Sequence, residues 1–149
     1  MILRLTLYSD YSLRVLIYLG IKGNQLSTIQ EIADHYHISK NHLMKVTYDL
    51  AQYGFIETVR GRGGGIRLKV DPKEINIGKL VRHTEEDFHI VECFDRNNNL
   101  CKISPSCQLK HVLYEALQAF LQVLDQYTLA DFLHSREELA ELLQMKIDT

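Results

Sequence analysis

Hydrophobic residues in the first third of the chain recur at spacings of three and four, which is the period of an α-helix. One such stripe predicts a helix from Ser9 to Lys22. Further along, the hydroxyl residues Ser27 and Thr28 stand just ahead of Glu31, the pattern of a capping box. This box predicts a second helix that ends at Tyr36.

A third helix is predicted from Lys40 to Tyr53, after the short connection at 37–38. Ser39 precedes it as an N-cap, and Gly54 follows it as a C-terminal glycine. Two short helices joined by a tight turn are typical of the helix-turn-helix motif.

The pattern then changes to two short strands around a turn. Residues 55–60 and 65–70 predict the strands, and three of the four residues at 61–64 are glycine. Such a tip lets the backbone and the Arg62 side chain approach another surface closely. The first 72 residues are therefore predicted to form a winged helix-turn-helix domain, so that the chain is mainly α with a small β-wing.

The second predicted unit, residues 73–149, begins with a short linker helix. Asn76 caps this helix, which extends from Ile77 to about Thr84. The acidic stretch 85–102 shows no sustained period and predicts a functional loop, and the predicted cysteine loop covers about 85–107.

A long helix is predicted to begin at Pro105 or Ser106. It is apolar on two faces, which is more surface than this small chain can cover, so we expect it to pair with its own copy in a homodimer. Ser135 is predicted to cap a last amphipathic helix that runs through Met145.

Composition and charge narrow the class of protein. Its 149 residues, 46% hydrophobic and 24% charged, suit one compact domain or two small subdomains. The apolar run at 13–21 is too short to span a bilayer and no secretory signal is visible, so we expect a cytoplasmic protein with no membrane partner. The net charge of −2 conceals nine Lys/Arg against five Asp/Glu in residues 1–70, and eight against fourteen in 71–149.

The basic half carries the groups that double-stranded DNA can accept. Hydroxyl, amide and cationic side chains lead the third helix, and arginines surround the wing tip. A winged helix that binds another protein would carry similar solvated faces. The candidate DNA-binding residues are Ser39, Lys40, Asn41, His42, Lys45, Arg60, Arg62 and Gly63.

Three cysteines, Cys93, Cys101 and Cys107, all lie in or beside the acidic loop. Their spacing matches a structural zinc site poorly, whereas iron-sulfur clusters tolerate wide spacing. Three thiolates leave a fourth position open to His111, His89, a carboxylate or the other subunit. The chain shows no nucleophile elbow, phosphate loop or metalloprotease motif, so we expect no enzyme activity.

Four segments together carry a resemblance to a known family. Residues 5–14, 38–43 and 60–65, with the three-cysteine loop, resemble the winged-helix iron-sulfur transcription regulators over nearly the whole chain. Residues 76–78 and 90–95 are most similar to the nitric-oxide-sensing repressors of bacilli within that family.

The resemblance implies a homodimer with crossed long helices that represses transcription from operator DNA until nitric oxide relieves repression. It implies a 4Fe-4S cluster in each subunit, held by Cys93, Cys101 and Cys107 with Asp10 of the other subunit as the oxygen ligand. From spacing alone, Asp10 instead predicts an ion pair with Arg14, four residues on. A related regulator without a cluster, its cysteines serving as thiol sensors or zinc ligands, is the alternative.

Overall fold

A computed structural model describes residues 4–148 and confirms the winged helix-turn-helix with a mainly helical remainder. The helices and strands, in chain order, are α1 (Leu7–Lys22), α2 (Ile29–Tyr36), α3 (Lys40–Gln52), β1 (Ile56–Val59), β2 (Gly65–Leu68), α4 (Ile77–Thr84), α5 (Gln108–Asp125) and α6 (Arg136–Leu142).

Two of the four predicted helix caps make the hydrogen bonds that the sequence indicates, whereas Ser39 and Ser135 occupy N-cap positions without one. Thr28 and Glu31 form a complete capping box at α2, and the Asn76 side chain accepts from the Lys79 N–H at α4. Ser39 does occupy the N-cap position of α3, but its hydroxyl makes no capping hydrogen bond. That hydroxyl therefore stays available to another partner.

The wing is attached to the helix-turn-helix through its backbone. Strands β1 and β2 are antiparallel, with Ile56 opposite Leu68. Ser27, just ahead of α2, exchanges two backbone hydrogen bonds with Ile66 of β2, at 2.9 and 2.8 Å. A Cβ at Gly65 would lie 2.6 Å from the Ser27 carbonyl oxygen, so only glycine permits this approach.

The main hydrophobic core lies between α1, α2, α3 and the base of the wing. Side chains from the last quarter of the chain, Leu129, Ala140 and Met145, are buried in the same core. A second, smaller core joins α4 to α5 around Val81 and Leu117. The division at residue 72 stays a prediction, and the main core takes side chains from both sides of it.

Several helix boundaries differ from those predicted. Helix α1 begins at Leu7, with Thr6 as its N-cap, and not at Ser9, and α3 ends at Gln52 and not at Tyr53. The long helix begins at Gln108 and not at Pro105 or Ser106, because residues 104–106 form a separate 3-10 turn and Cys107 has an extended backbone. The last helix ends at Leu142 and not at Met145. Gln144 has a φ of +56°, which is left-handed and stops the helix.

Helix α5 buries only part of its apolar surface. Leu117 and Leu121 pack on α4, while a stripe at three- and four-residue spacing faces away from the rest of the chain. The members of that stripe are Leu109, Val112, Ala116, Phe120 and Val123. Among the described residues, no helix is both long enough and apolar enough to cross a membrane.

Candidate DNA-binding surface and cysteine loop

All the residues predicted to bind DNA lie on an exposed surface of α3 and the wing. His37, left-handed at φ +55°, makes the turn between α2 and α3. Packing of Leu43, Val46 and Leu50 into the core turns the opposite face of α3 outward. The exposed predicted residues are Ser39, Lys40, Asn41, His42, Lys45, Arg60, Arg62 and Gly63.

The wing separates its paired charges from its unpaired ones. Arg67 donates to Glu57 on the facing strand, at 2.8 Å, and that ion pair neutralises both. Within residues 4–148, Arg60 and Arg62 take part in no ion pair. Gly63 has a φ of +75° and an open surface above it, so the tip offers two free guanidinium groups beside bare backbone.

Two large side chains on α3 were not among the predicted DNA-binding residues. Met44 and Tyr48 are 51% and 65% exposed, one helical turn apart on the same face. The sequence does carry the signal, because both positions fall outside the buried stripe of α3. An exposed apolar pair beside cationic groups suits contact with thymine methyl groups or sugars.

The first turn of α1 contacts the outer face of α3. The Tyr8 hydroxyl donates a short hydrogen bond to the Asp49 carboxylate. The Lys45 ammonium lies 5.6 Å from the centre of the Tyr8 ring. Burial and the neighbouring Asp49 raise the pKa of Tyr8 well above its usual range, so the phenol stays a donor.

The three cysteines lie in the irregular segment between α4 and α5. All three are free thiols; Cys101 is exposed, and Cys93 and Cys107 are half-buried. No three His, Cys, Asp or Glu side chains between residues 4 and 148 are grouped closely enough to hold a metal ion. The structure therefore places the predicted ligands in one loop but does not bring them together.

Beside Cys93 the loop forms a pocket of about 400 Å³ with a cationic lining. Phe94 anchors the loop edge-on against Tyr114 of α5, with ring centres 6.3 Å apart. Arg96 and Lys110 line the pocket, and no carboxylate does. Of the three cysteines, Cys93 lines this pocket, and its thiolate would carry negative charge beside these cations. Three free thiols in one loop are a donor set whose chemistry fits an iron-sulfur cluster.

Asp10, the predicted ligand from the other subunit, is occupied within its own chain. Its carboxylate accepts from two nitrogens of Arg14, at 3.1 and 3.0 Å. The Arg14 guanidinium also lies 5.7 Å from the Tyr11 ring centre and 5.8 Å from that of Tyr36. The ion pair expected from spacing alone is present.

Glu85 connects the end of α4 to the start of α1, and sequence reasoning did not single it out. Its carboxylate accepts from the Thr6 N–H at 3.3 Å and from the Thr6 and Ser9 hydroxyls. Ser9 also shares a 2.6 Å hydrogen bond with Thr84. A separation of 79 residues gives no local pattern from which this contact could be found.

Comparisons with known proteins identify the family of this chain. A family model, Rrf2, described as an iron-dependent transcriptional regulator, matches residues 5–135. The chain is 62% identical over 145 residues to the HTH-type transcriptional regulator NsrR of Bacillus subtilis, covering 97% of this chain and 99% of that one. It is 57% identical over 142 residues to NsrR of Bacillus licheniformis, with 95% and 99% covered.

A solved structure extends the likeness to the fold. The IscR of T. potens superposes with a TM-score of 0.72 at 24% identity, covering 92% of this chain and 90% of that one. The two NsrR relatives are named as transcriptional regulators, which confirms the prediction of a regulator and not an enzyme. With a family model matched over residues 5–135, this chain belongs to the Rrf2 family of transcriptional regulators.

Proposed function

We propose that the protein is a homodimeric repressor that binds double-stranded operator DNA and releases it in response to nitric oxide. The observation that carries the DNA-binding part is the unpaired, exposed basic surface on α3 and the wing. The nitric oxide part is supported by the naming of relatives 62% and 57% identical as NsrR, and by three free thiols in one loop.

In this proposal the two basic elements divide the work of recognition. The leading turn of α3, from Ser39 to His42, enters the major groove and presents hydroxyl, amide and imidazole groups to base edges. Lys45 and Arg60 bind backbone phosphates, and Arg62 reaches the adjacent minor groove. Gly63 allows the backbone of the tip to lie against the sugar-phosphate chain.

The exposed stripe of α5 is the proposed dimer interface. Its apolar residues lie along a helix of 18 residues, about 27 Å at 1.5 Å per residue. A second copy of the same stripe covers this surface in a two-fold arrangement. The dimer places two α3 helices so that they can meet successive half-sites of a partly palindromic operator.

Cys93, Cys101 and Cys107 are the residues that would hold a 4Fe-4S cluster, with Asp10 of the partner subunit as the fourth ligand. The chemistry that a bound cluster supplies is an iron with one weakly held oxygen ligand, which nitric oxide can replace. The Arg96 and Lys110 side chains line the same pocket as Cys93 and would offset the negative charge of its thiolate.

Asp10 has two alternative partners in this proposal, and the exchange between them links the loop to the DNA-binding surface. To serve the partner subunit, Asp10 must leave Arg14. The rings of Tyr11 and Tyr36 retain the Arg14 guanidinium when the carboxylate turns away. When Asp10 returns to Arg14, the tether between the subunits is lost and the spacing of the two α3 helices changes.

The test uses anaerobically purified full-length protein. Iron and acid-labile sulfide are assayed, and a duplex selected from a random-sequence pool is then titrated with the loaded, iron-free and nitric-oxide-treated forms. We expect the last two to bind at least tenfold more weakly. Asp10→Ala should abolish the difference among the forms, whereas Asp34→Ala, an exposed aspartate on α2, should leave it intact.

Equal affinity of all three forms would contradict the nitric oxide response while leaving DNA binding in place. Full affinity in protein that takes up no iron would favour a regulator that acts without a cluster. Absence of any selected duplex would contradict the repressor proposal itself.

A further inference from the structure

We propose that Tyr8 is a positioning residue for DNA binding: by occupying the Asp49 carboxylate, its hydroxyl keeps the Lys45 ammonium free for a DNA phosphate. This inference rests on the proposed function, because Lys45 is assigned there to a DNA phosphate. Tyr8 itself lies outside the DNA-binding surface. Tyr8 lies on α1, whereas Lys45 and Asp49 lie on α3.

The spacing of Lys45 and Asp49 favours an ion pair that the structure does not contain. Residues four apart on a helix are surface neighbours, and opposite charges at that spacing attract. Yet within residues 4–148 no ion pair joins Lys45 to Asp49. The Asp49 carboxylate instead accepts the Tyr8 hydroxyl, and the Lys45 ammonium lies 5.6 Å from the Tyr8 ring centre.

Both contacts come from one side chain, and each has a different consequence. The hydroxyl satisfies the half-buried carboxylate, so Asp49 needs no cation. The ring face attracts the exposed ammonium without a formal negative charge. A phosphate, which is charged, can therefore draw Lys45 away from the ring more readily than from a carboxylate.

The position of Tyr8 also makes this contact sensitive to the start of α1. Tyr8 is in the first turn of the helix, between Thr6, which Glu85 holds, and Asp10. A movement of that turn changes the distance from Tyr8 to α3. Availability of Lys45 would then change together with the position of the turn.

The experiment measures binding of a non-palindromic 30-base-pair duplex and of the selected operator duplex over a series of salt concentrations. Tyr8→Phe removes the hydroxyl and keeps the ring. Its matched control is Tyr127→Phe, which removes the hydroxyl of an exposed tyrosine just beyond the end of α5 and leaves α3 untouched. Lys45→Gln removes the cation, and Tyr8→Phe with Asp49→Asn removes the competing carboxylate as well.

We expect Tyr8→Phe to weaken binding about two- to fivefold, since Asp49 then pairs with Lys45. Lys45→Gln should lower the slope of log affinity against log salt by about 0.9 per subunit, and Tyr8→Phe by a fraction of that. The double variant should recover wild-type affinity and slope, and Tyr127→Phe should leave both unchanged.

Wild-type affinity and slope in Tyr8→Phe, with Lys45→Gln impaired, would overturn the role of Tyr8 and leave DNA binding by α3 in place. An unchanged slope in Lys45→Gln would overturn the assignment of a phosphate to Lys45. Failure of the wild-type protein to bind either duplex would instead contradict the proposed function. If Tyr8→Phe fails to fold, Asp49→Asn alone tests the same competition, with undiminished affinity expected.

Discussion

Two regions of the molecule differ in how much apolar surface they bury within the chain. They are the helix-turn-helix with its wing, and the segment from the cysteine loop to α5. Among the described residues, the main core around α1 holds 18 buried hydrophobic side chains. The core between α4 and α5 holds four. The first region buries its core within one chain, whereas the second leaves three thiols unbonded and an apolar helix face exposed.

In the proposed function, the first region binds DNA, whereas the second binds a cluster and a second subunit. Burial of apolar area stabilises the first region without any partner. The second region lacks the equivalent burial, and its exposed groups are those that a cluster and a second subunit would cover. Substitutions in the two regions should therefore fail in different ways.

The largest effect is expected inside the main core. Leu16→Ala removes a side chain that is 0% exposed in the middle of α1, and the cavity it leaves should lower the free energy of unfolding by about 2–5 kcal/mol. Leu100→Ala, at 85% exposure in the cysteine loop, should change it by less than about 0.5 kcal/mol. Urea unfolding of iron-free protein measures both, and equal losses would contradict the contrast between the regions.

The next effect concerns assembly and not folding. Val112→Asp with Val123→Asp places two charges on the exposed stripe of α5, and the proposed dimer should dissociate because those charges would be buried without partners. Operator affinity should fall about 100-fold or more once the half-sites are bound separately. Analytical ultracentrifugation gives the mass. The control Leu142→Asp, an exposed leucine on α6, should leave the dimer intact.

The smallest effect is a pH dependence within the helix-turn-helix. Burial raises the pKa of Glu31, but three contacts outweigh it: the Lys22 ammonium at 2.8 Å, the Tyr18 hydroxyl and the Thr28 N–H. The pKa of Glu31 therefore lies below its ordinary value. Its contribution is therefore present above the unfolded-chain pKa and lost as pH falls through the folded value.

The free energy of unfolding, measured by thermal unfolding, should be about 1 kcal/mol lower in Glu31→Gln than in the wild-type protein at neutral pH. This difference should shrink in acid. Glu86→Gln, an exposed glutamate in the loop after α4, is the control and should show no such change. A difference that grows as the pH falls would contradict the direction of the pKa shift.

Local chemistry made the first region predictable from its residues. The capping box at Thr28, the left-handed glycine at position 54 and the glycine tip of the wing each determine backbone conformation within a few residues. The ion pair between Asp10 and Arg14 is likewise a neighbour effect on one helix. Such features need no knowledge of the rest of the chain.

The long-range contacts made by the start of α1 could not be predicted in this way. Glu85 meets Thr6, and Tyr8 meets Asp49, only because the packed core brings α4 and α3 against the start of α1. In the proposed function, convergence of Cys93, Cys101 and Cys107 would depend on a bound cluster, which lies outside the polypeptide. Sequence spacing indicates the donor atoms but not the distances between them, so the ligand set stays a prediction.

The backbone hydrogen bonds between Ser27 and Ile66 have a mechanical consequence for regulation. They join the wing to the segment that leads into α2, so we expect the wing and the helix-turn-helix to move together. In the proposed dimer, a change in the spacing of the two α3 helices must then come from rotation of whole protomers about α5. It does not come from bending between the wing and the helix-turn-helix. Because the wing tips lie far from α5, a small rotation about α5 displaces them by a large distance.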